Sequence, residues 1–260
     1  MDQCALFKSS STCSQSSGLA QVSKREDAMT PDDAKQKLIL AGLILEDAGQ
    51  GDMTRGHVSV RVPGNPDQFY MKPHSFGFDE ITMENIVTCD LAGNKIAGWA
   101  PRHSEVFIHS EIFKARPDIT SIIHSHPDHA VAVSATGRPL RMISQPSAAF
   151  FDGVGYYKDT IDLIRRPDQG AGVARAFGSH MAAFLKNHGV VVGGRSIEEA
   201  VILSIMLENA CRIQVLAESA GDLAPEFPRE DIAQLHDKLS RPEQHSVNFE
   251  YLARRARARR

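Results

Sequence analysis

The chain has 260 residues, 42% hydrophobic and 23% charged. That suits one large domain or two small ones and excludes a stapled miniprotein, a fibrous repeat or a wholly disordered chain. With 29 basic against 32 acidic side chains the formal net charge is −3, so no global field draws the chain to nucleic acid or an acidic membrane, and neither is expected as a partner. The unusual feature is 11 histidines, side chains that serve as metal ligands and as proton carriers near neutral pH. Cys4, Cys13, Cys89 and Cys211 form no CxxC pair, which points away from a disulfide framework and toward a reducing cytoplasm. No apolar run reaches about 20 residues, and the N-terminal stretch lacks the apolar centre of a secretory signal.

Residues 1–29, rich in Ser, Gln and Cys without an apolar period, read as a mobile arm, leaving 30–260 as the folded domain. Ala34, Leu38, Ala41 and Leu45 then recur at helical spacing, with Thr30 as cap, Pro31 at the first helical position and Gly49 as stop. HVSVRV alternates, with Val58, Val60 and Val62 against His57, Ser59 and Arg61; DQFYMKP and NIVTCDLAG are two further strand-like runs. SEVFIHSEIFKAR predicts an amphipathic helix from Ser104, TSIIHSH a short strand ended by Pro127, and DHAVAVSATG a helix. Residues 136–160 are turn-rich. After a helical stretch, MAAFLKNHGVVVGG predicts two strands around a His-Gly corner. SIEEAVILSIMLENACRIQVLAES is the longest helical period, with Ser196 capping and Glu199 closing a capping box. RRARARR, at the C-terminal end, reads as a solvated helix end or tail, with an anion or subunit contact as the alternative. Mixed elements without repeats imply a sheet covered on both faces.

IIHSHPDHA carries the strongest chemical signal. His124 and His126, two apart on a strand, project to one face at the strand end. His188 in LKNHG ends another apolar strand, and Glu105 in HSEVFIH stands at a helix start. Three imidazoles with an open position and a nearby carboxylate suit a catalytic divalent site for zinc, manganese or iron. HxHxDH, formed by His124, His126, Asp128 and His129, also resembles the metallo-β-lactamase-fold hydrolases. Those proteins carry it after a run of strands and hairpins, whereas here it follows a long helix.

From Asp32 to Ala220 the chain resembles the class II aldolase/adducin family. The matches, in order, are a first helix, RGHVSVR, PHSFGFDE, Ser104-Glu105, the HxHP strand end, and the NHG that precedes Gly194–Ala200. The resemblance implies a three-layer α/β/α sandwich with a central, mainly antiparallel sheet, and a homotetramer with sites near subunit interfaces. It also implies a divalent metal, Zn²⁺ ahead of Mn²⁺ or Fe²⁺, on His124, His126 and His188, with Glu105 as fourth ligand or acid/base. Adducin-like scaffolds lack the histidine ligands, so their presence implies an enzyme.

Three small polar turns that cradle a sugar phosphate in the family's aldolases here read Gly56-His57, His74-Ser75 and His103-Ser104. Imidazoles would crowd backbone N–H groups that must reach phosphate past tiny side chains. A non-phosphorylated hydroxy acid is therefore the expected substrate, with His57 as a catalytic candidate and Arg55, Arg61 and Lys72 adding positive charge. GHVSVR and FFDGVGYY…LIRRPDQG resemble the branch that decarboxylates hydroxylated aromatic acids such as dihydroxyphthalates. Retro-aldol cleavage, iron- and O₂-dependent oxidative decarboxylation and a non-enzymatic scaffold are the alternatives. Tyr156 and Tyr157 are phenol candidates, Tyr157 among the substrate-binding residues. Asp128 and His129 are expected to cap the helix after Pro127 and to orient His126.

Overall fold

The computed structural model describes residues 29–260, so the expected arm lies, apart from Met29, outside the described residues. Helix α1 (Pro31–Asp47) begins in a reciprocal cap: the Thr30 hydroxyl accepts the Asp33 N–H while the Asp33 carboxylate accepts the Thr30 N–H. Gly49 turns the chain away at φ +73°. Strands β1 (His57–Val62), β2 (Asn65–Met71), β3 (Val87–Asp90) and β4 (Lys95–Ala97) follow as a meander. Helix α2 (Val106–Ala115), strand β5 (Ser121–Ser125) and helix α3 (Asp128–Thr136) come next. Two elements here depart from expectation: α2 starts at Val106 rather than Ser104, and β5 ends before His126.

The turn-rich stretch contains α4 (Gln145–Ala148) and β6 (Gly155–Tyr157), both too short to leave a period in the sequence. Helix α5 (Pro167–Phe177) leads to β7 (Ala182–Leu185) and β8 (Gly189–Gly194), the two strands around the His-Gly corner. The long helix α6 (Ile197–Ala220) is followed by α7 (Arg229–Leu239) and α8 (Pro242–Ala258). At the start of α6 the capping box is only half formed. Ser196 Oγ accepts the Glu199 N–H, but the Glu199 carboxylate turns back to the Arg195 N–H at 2.6 Å. Among the described helices, α6 alone is long and apolar enough to cross a membrane by length and composition, although charged residues interrupt its apolar run. Half of that stretch is buried, with Val201, Leu207 and Cys211 in the core, as in the central helix of a layered fold.

The strands form one eight-stranded sheet in the order β4-β3-β2-β1-β5-β8-β7-β6, antiparallel except where β6 meets β7. This is the expected α/β sandwich. Apolar side chains of α2 and α5 (Val106, Ile108, Ile112, Val173, Phe177) cover one face, and those of α1, α3, α6 and α8 cover the other. The alternation in β1 therefore has a different meaning from that of a half-exposed strand. Val58 and Val60 join the α1 side, while His57 and Ser59 are also wholly buried, on the α2 side.

The Arg-rich end spans the last turn of α8 and the two residues that follow it. Arg255 and Arg259 both bind Asp47 of α1, and Arg260 reaches Asp79, so this segment ties α8 back onto the first helix. At Gly194, where β8 turns into α6, an added Cβ would run into Ala200 N and Ser196 O. Gly194→Ala should destabilise the fold by about 1–3 kcal/mol, read as a lowered urea midpoint, whereas Gly64→Ala meets no neighbouring atom and should show only the smaller strain of its positive φ.

Candidate metal centre

The site grows from strand pairing. β5 lies between β1 and β8, and its register sets His124 opposite His57 on one side and Val191 on the other. The His124 Nδ1 faces only the Val190 carbonyl oxygen, 2.8 Å away, so it carries the proton and donates, leaving Nε2 as a bare lone pair. His126, one residue beyond the strand, is fixed in the same tautomer: its Nδ1 donates to the Asp52 carboxylate at 3.0 Å. The two Nε2 atoms consequently face each other at 3.1 Å with lone pairs converging. His188 completes the set from the β7–β8 corner, and among the described residues neither of its buried ring nitrogens has a hydrogen-bond partner.

Such an arrangement is unfavourable without a cation between the rings. It fits one, because nitrogens about 2.1 Å from an ion stand roughly 3–3.5 Å apart. Glu105 caps α2 without using its side chain there. Its Oε1 accepts the Ile164 N–H at 2.9 Å and lies 3.7 Å from His188 Nε2, while Oε2 lies 4.0 Å from His124 Nε2. Burial pushes the Glu105 carboxyl above the ordinary range, against the Ile164 bond and the Arg165 charge that pull it down.

Glu105, His126 and His188 line a cavity of about 480 Å³, large enough for a small ligand, whose walls also include Thr54, Arg55, His74, His103, Ser104 and Arg165; His124 is wholly buried and does not line it. His74, His103 and His57, the three histidines of the altered turns, run from the rim of the cavity into the protein interior behind it. His74 is exposed, its ring 5.2 Å from that of His103, which lies 4.1 Å from that of His57. The backbone is strained nearby: Met53, Ser75 and Asn187 are the described non-glycine residues at positive φ, and each adjoins a cavity residue.

Several expected substrate residues are placed elsewhere. Tyr157 packs in the apolar core with Val173 and Phe177, so it is not a wall of the cavity; Tyr156 donates its hydroxyl to the Ser134 carbonyl. Gly56 is buried under Phe78 at φ +70°, and Ser75, beside His74, does not line the cavity. His57 is wholly enclosed behind His103, which excludes direct contact with substrate in this conformation. Arg61 donates to the Phe113, Pro66 and Ile119 carbonyls, and Lys72 to those of Thr54, Pro73 and Phe76, so both cations pin backbone. Asp128 and His129 do not orient His126: His129 binds Glu208 at 2.6 Å, Pro127 caps α3 without a side-chain bond, and Asp52 does the orienting. Asp52, His109 and Arg165 are the contributions that sequence reasoning missed. Asp52 sits in an irregular turn, but His109 is one turn after Glu105 on the same helix and was open to detection by that spacing.

Residues 36–215 match the family described as Class II Aldolase and Adducin N-terminal domain. The chain belongs to the class II aldolase and adducin family. It is similar to Decarboxylase NovR of Streptomyces niveus, 31% identical over 186 residues covering 71% of this chain and 68% of that protein. It is also similar to the 3,4-dihydroxyphthalate decarboxylase of Arthrobacter keyseri, 28% identical over 219 residues covering 78% and 86%. Among solved structures, the L-fuculose 1-phosphate aldolase from Glaciozyma antarctica PI12 superposes with a TM-score of 0.76 at 28% identity, over 86% of this chain and 88% of that one. Family membership and the decarboxylase-named relatives make the chain an enzyme of the lyase class, a decarboxylase or an aldolase. Class II aldolases generally depend on a divalent metal, and the converging nitrogens here fit one.

Two outcomes follow from this geometry. Asp52→Ala releases the His126 tautomer and should weaken divalent-metal affinity by about 10–100-fold, measured by chelator competition. Burial also lowers His188 to about 4, His109 to about 3 and His103 to about 2, with His57 and His124 well below the ordinary value and His126 lowered too. As pH falls through about 6.5 the unfolded chain takes up protons that the folded chain refuses. Stability of the metal-free protein should thus be full above that pH and decline steadily toward pH 4, checked by urea midpoints across the interval.

Proposed function

We propose that this chain is a divalent-metal-dependent decarboxylase of a non-phosphorylated, hydroxylated aromatic acid. The observation that carries the reading is the convergence of the imidazole nitrogens of His124, His126 and His188 beside the buried Glu105, next to a cavity whose walls carry Arg165, Arg55, His74 and His103. Zn²⁺ is the preferred ion for three imidazoles with an open position, ahead of Mn²⁺ and Fe²⁺. When bound it supplies Lewis-acid stabilisation of the negative charge left as CO₂ departs.

The remaining work falls to the side chains. Arg165 and Arg55 attract the substrate carboxylate, and His103 and His74 offer donors to a phenolic oxygen. Glu105, beside the ligand nitrogens at the edge of the cavity, is the group placed to deliver a proton to the carbon that loses CO₂. The imidazole rings of His74 and His103 on the cavity wall support a carboxylate rather than a phosphate substrate. Relatives named as decarboxylases support the same direction. The site lies in a cytoplasmic homotetramer on this reading.

The test is a panel of hydroxybenzoates, hydroxyphthalates and aryl hydroxy-ketones, scored for CO₂, aldehyde and O₂ uptake, with metal analysis of the same preparation. CO₂ release from a hydroxylated aromatic acid without O₂ uptake is the expected result. Glu105→Gln should lower kcat by about 10²–10⁴-fold. Aldehyde release instead would establish retro-aldol cleavage, iron with O₂ uptake an oxidative decarboxylase, and a chain without metal or turnover a scaffold.

A further inference from the structure

The three-histidine set leaves His57 without a task. This side chain is fully enclosed on β1, directly across from His124, and its Nε2 has no hydrogen-bond partner among the described residues. Its Nδ1 lies 2.5 Å from the Nε2 of His109 on α2, and the His109 Nδ1 lies 2.6 Å from the Ser59 hydroxyl. A hydroxyl accepts as readily as it donates. With a cation beside Glu105 the chain closes with His57 Nδ1–H donating to His109 Nε2 and His109 Nδ1–H donating to the Ser59 hydroxyl, the one of its two proton arrangements that leaves a lone pair on His57 Nε2.

That lone pair faces Glu105, whose Oε2 is 3.7 Å away. The separation is too long for a hydrogen bond and suits two donors sharing one cation. His57, Glu105 and His124 offer ligand atoms all within 4.8 Å of one another, each on a buried residue. His57 also has the support usual for a metal-bound imidazole, in that its other nitrogen is held by a partner that is itself held.

We propose that His57 is a metal ligand, and that the protein holds two overlapping seats for a single divalent ion. The outer seat is His124, His126 and His188, open to the cavity; the inner seat is His57, Glu105 and His124, enclosed by protein. This inference rests on the site being a metal centre. The Nε2 lone pair of His124 serves one ion at a time, so the stoichiometry is one ion per chain whichever seat is filled. A substrate that chelates from the cavity favours the outer seat, since only that seat has an open side. His109 and Ser59 are positioning residues that hold the His57 tautomer.

The full chain, stripped of metal by chelation and titrated with Co²⁺, tests this, because the visible absorption of Co²⁺ reports its ligands. The wild-type protein should bind one Co²⁺ per chain. His57→Ala should still bind one, at least about tenfold more weakly, with an altered visible spectrum that added free imidazole returns toward wild type. His57→Asn should show the same weakening and provides the comparison if the alanine variant unfolds, with thermal unfolding of the metal-free proteins as the control for folding. Wild-type Co²⁺ affinity and spectrum in His57→Ala or His57→Asn, alongside loss of Co²⁺ in His188→Ala, would overturn the inner seat and leave the metal centre standing. A wild-type protein that takes up no Co²⁺ would overturn both.

Discussion

The insertion of β5 between β1 and β8 is the constraint on which the site depends. Antiparallel pairing on both sides gives His124 a carbonyl from Val190 to hold its Nδ1 and a second imidazole, His57, directly across the ladder. With alternate residues on opposite faces, a slip of one residue would turn His124 to the α1 side and bury Ile123 among the polar groups. Apolar packing of Val58, Val60 and Ile123 on that side makes such a slip costly. The hydrophobic layer thus fixes the register, and the register fixes the chemistry.

Concentrating imidazoles under α2 has a thermodynamic consequence. His57, His109 and His124 are wholly buried, and no acid closer than Glu105 compensates a proton on them, so the fold holds them neutral. Neutral rings are the form that binds a cation, and their directions are fixed by Ser59, Val190 and Asp52 rather than by solvent. The strained residues beside the cavity are held by similar devices: Lys72 ties the Thr54 and Phe76 carbonyls, and the Asn187 N–H donates to Ser134 Oγ.

The likeness to an L-fuculose 1-phosphate aldolase and to proteins named as decarboxylases shows one framework shared by relatives with different printed activities. In this chain three turns and one helix face bring His74, His103, His57 and His109 together in a stack that runs from the rim of the cavity inward.

The sequence by itself determined the local elements with strong periods or caps: α1 from Thr30 onward, the alternating β1, the two strands around Asn187-His188, and α6. It also marked His124, His126, His188 and Glu105, because strand ends and helix starts are short-range features that spacing reveals. The tertiary structure alone decided what those residues meet. Tyr157 lies in the core because β6, too short to show a period, pairs with β7. Asp52 reaches His126 across 74 residues, and His57 lies under His103 instead of in the cavity. Periodicity and caps are set by neighbours along the chain, whereas partners and exposure at the site are set by strand register and helix docking, which join residues that no spacing rule connects.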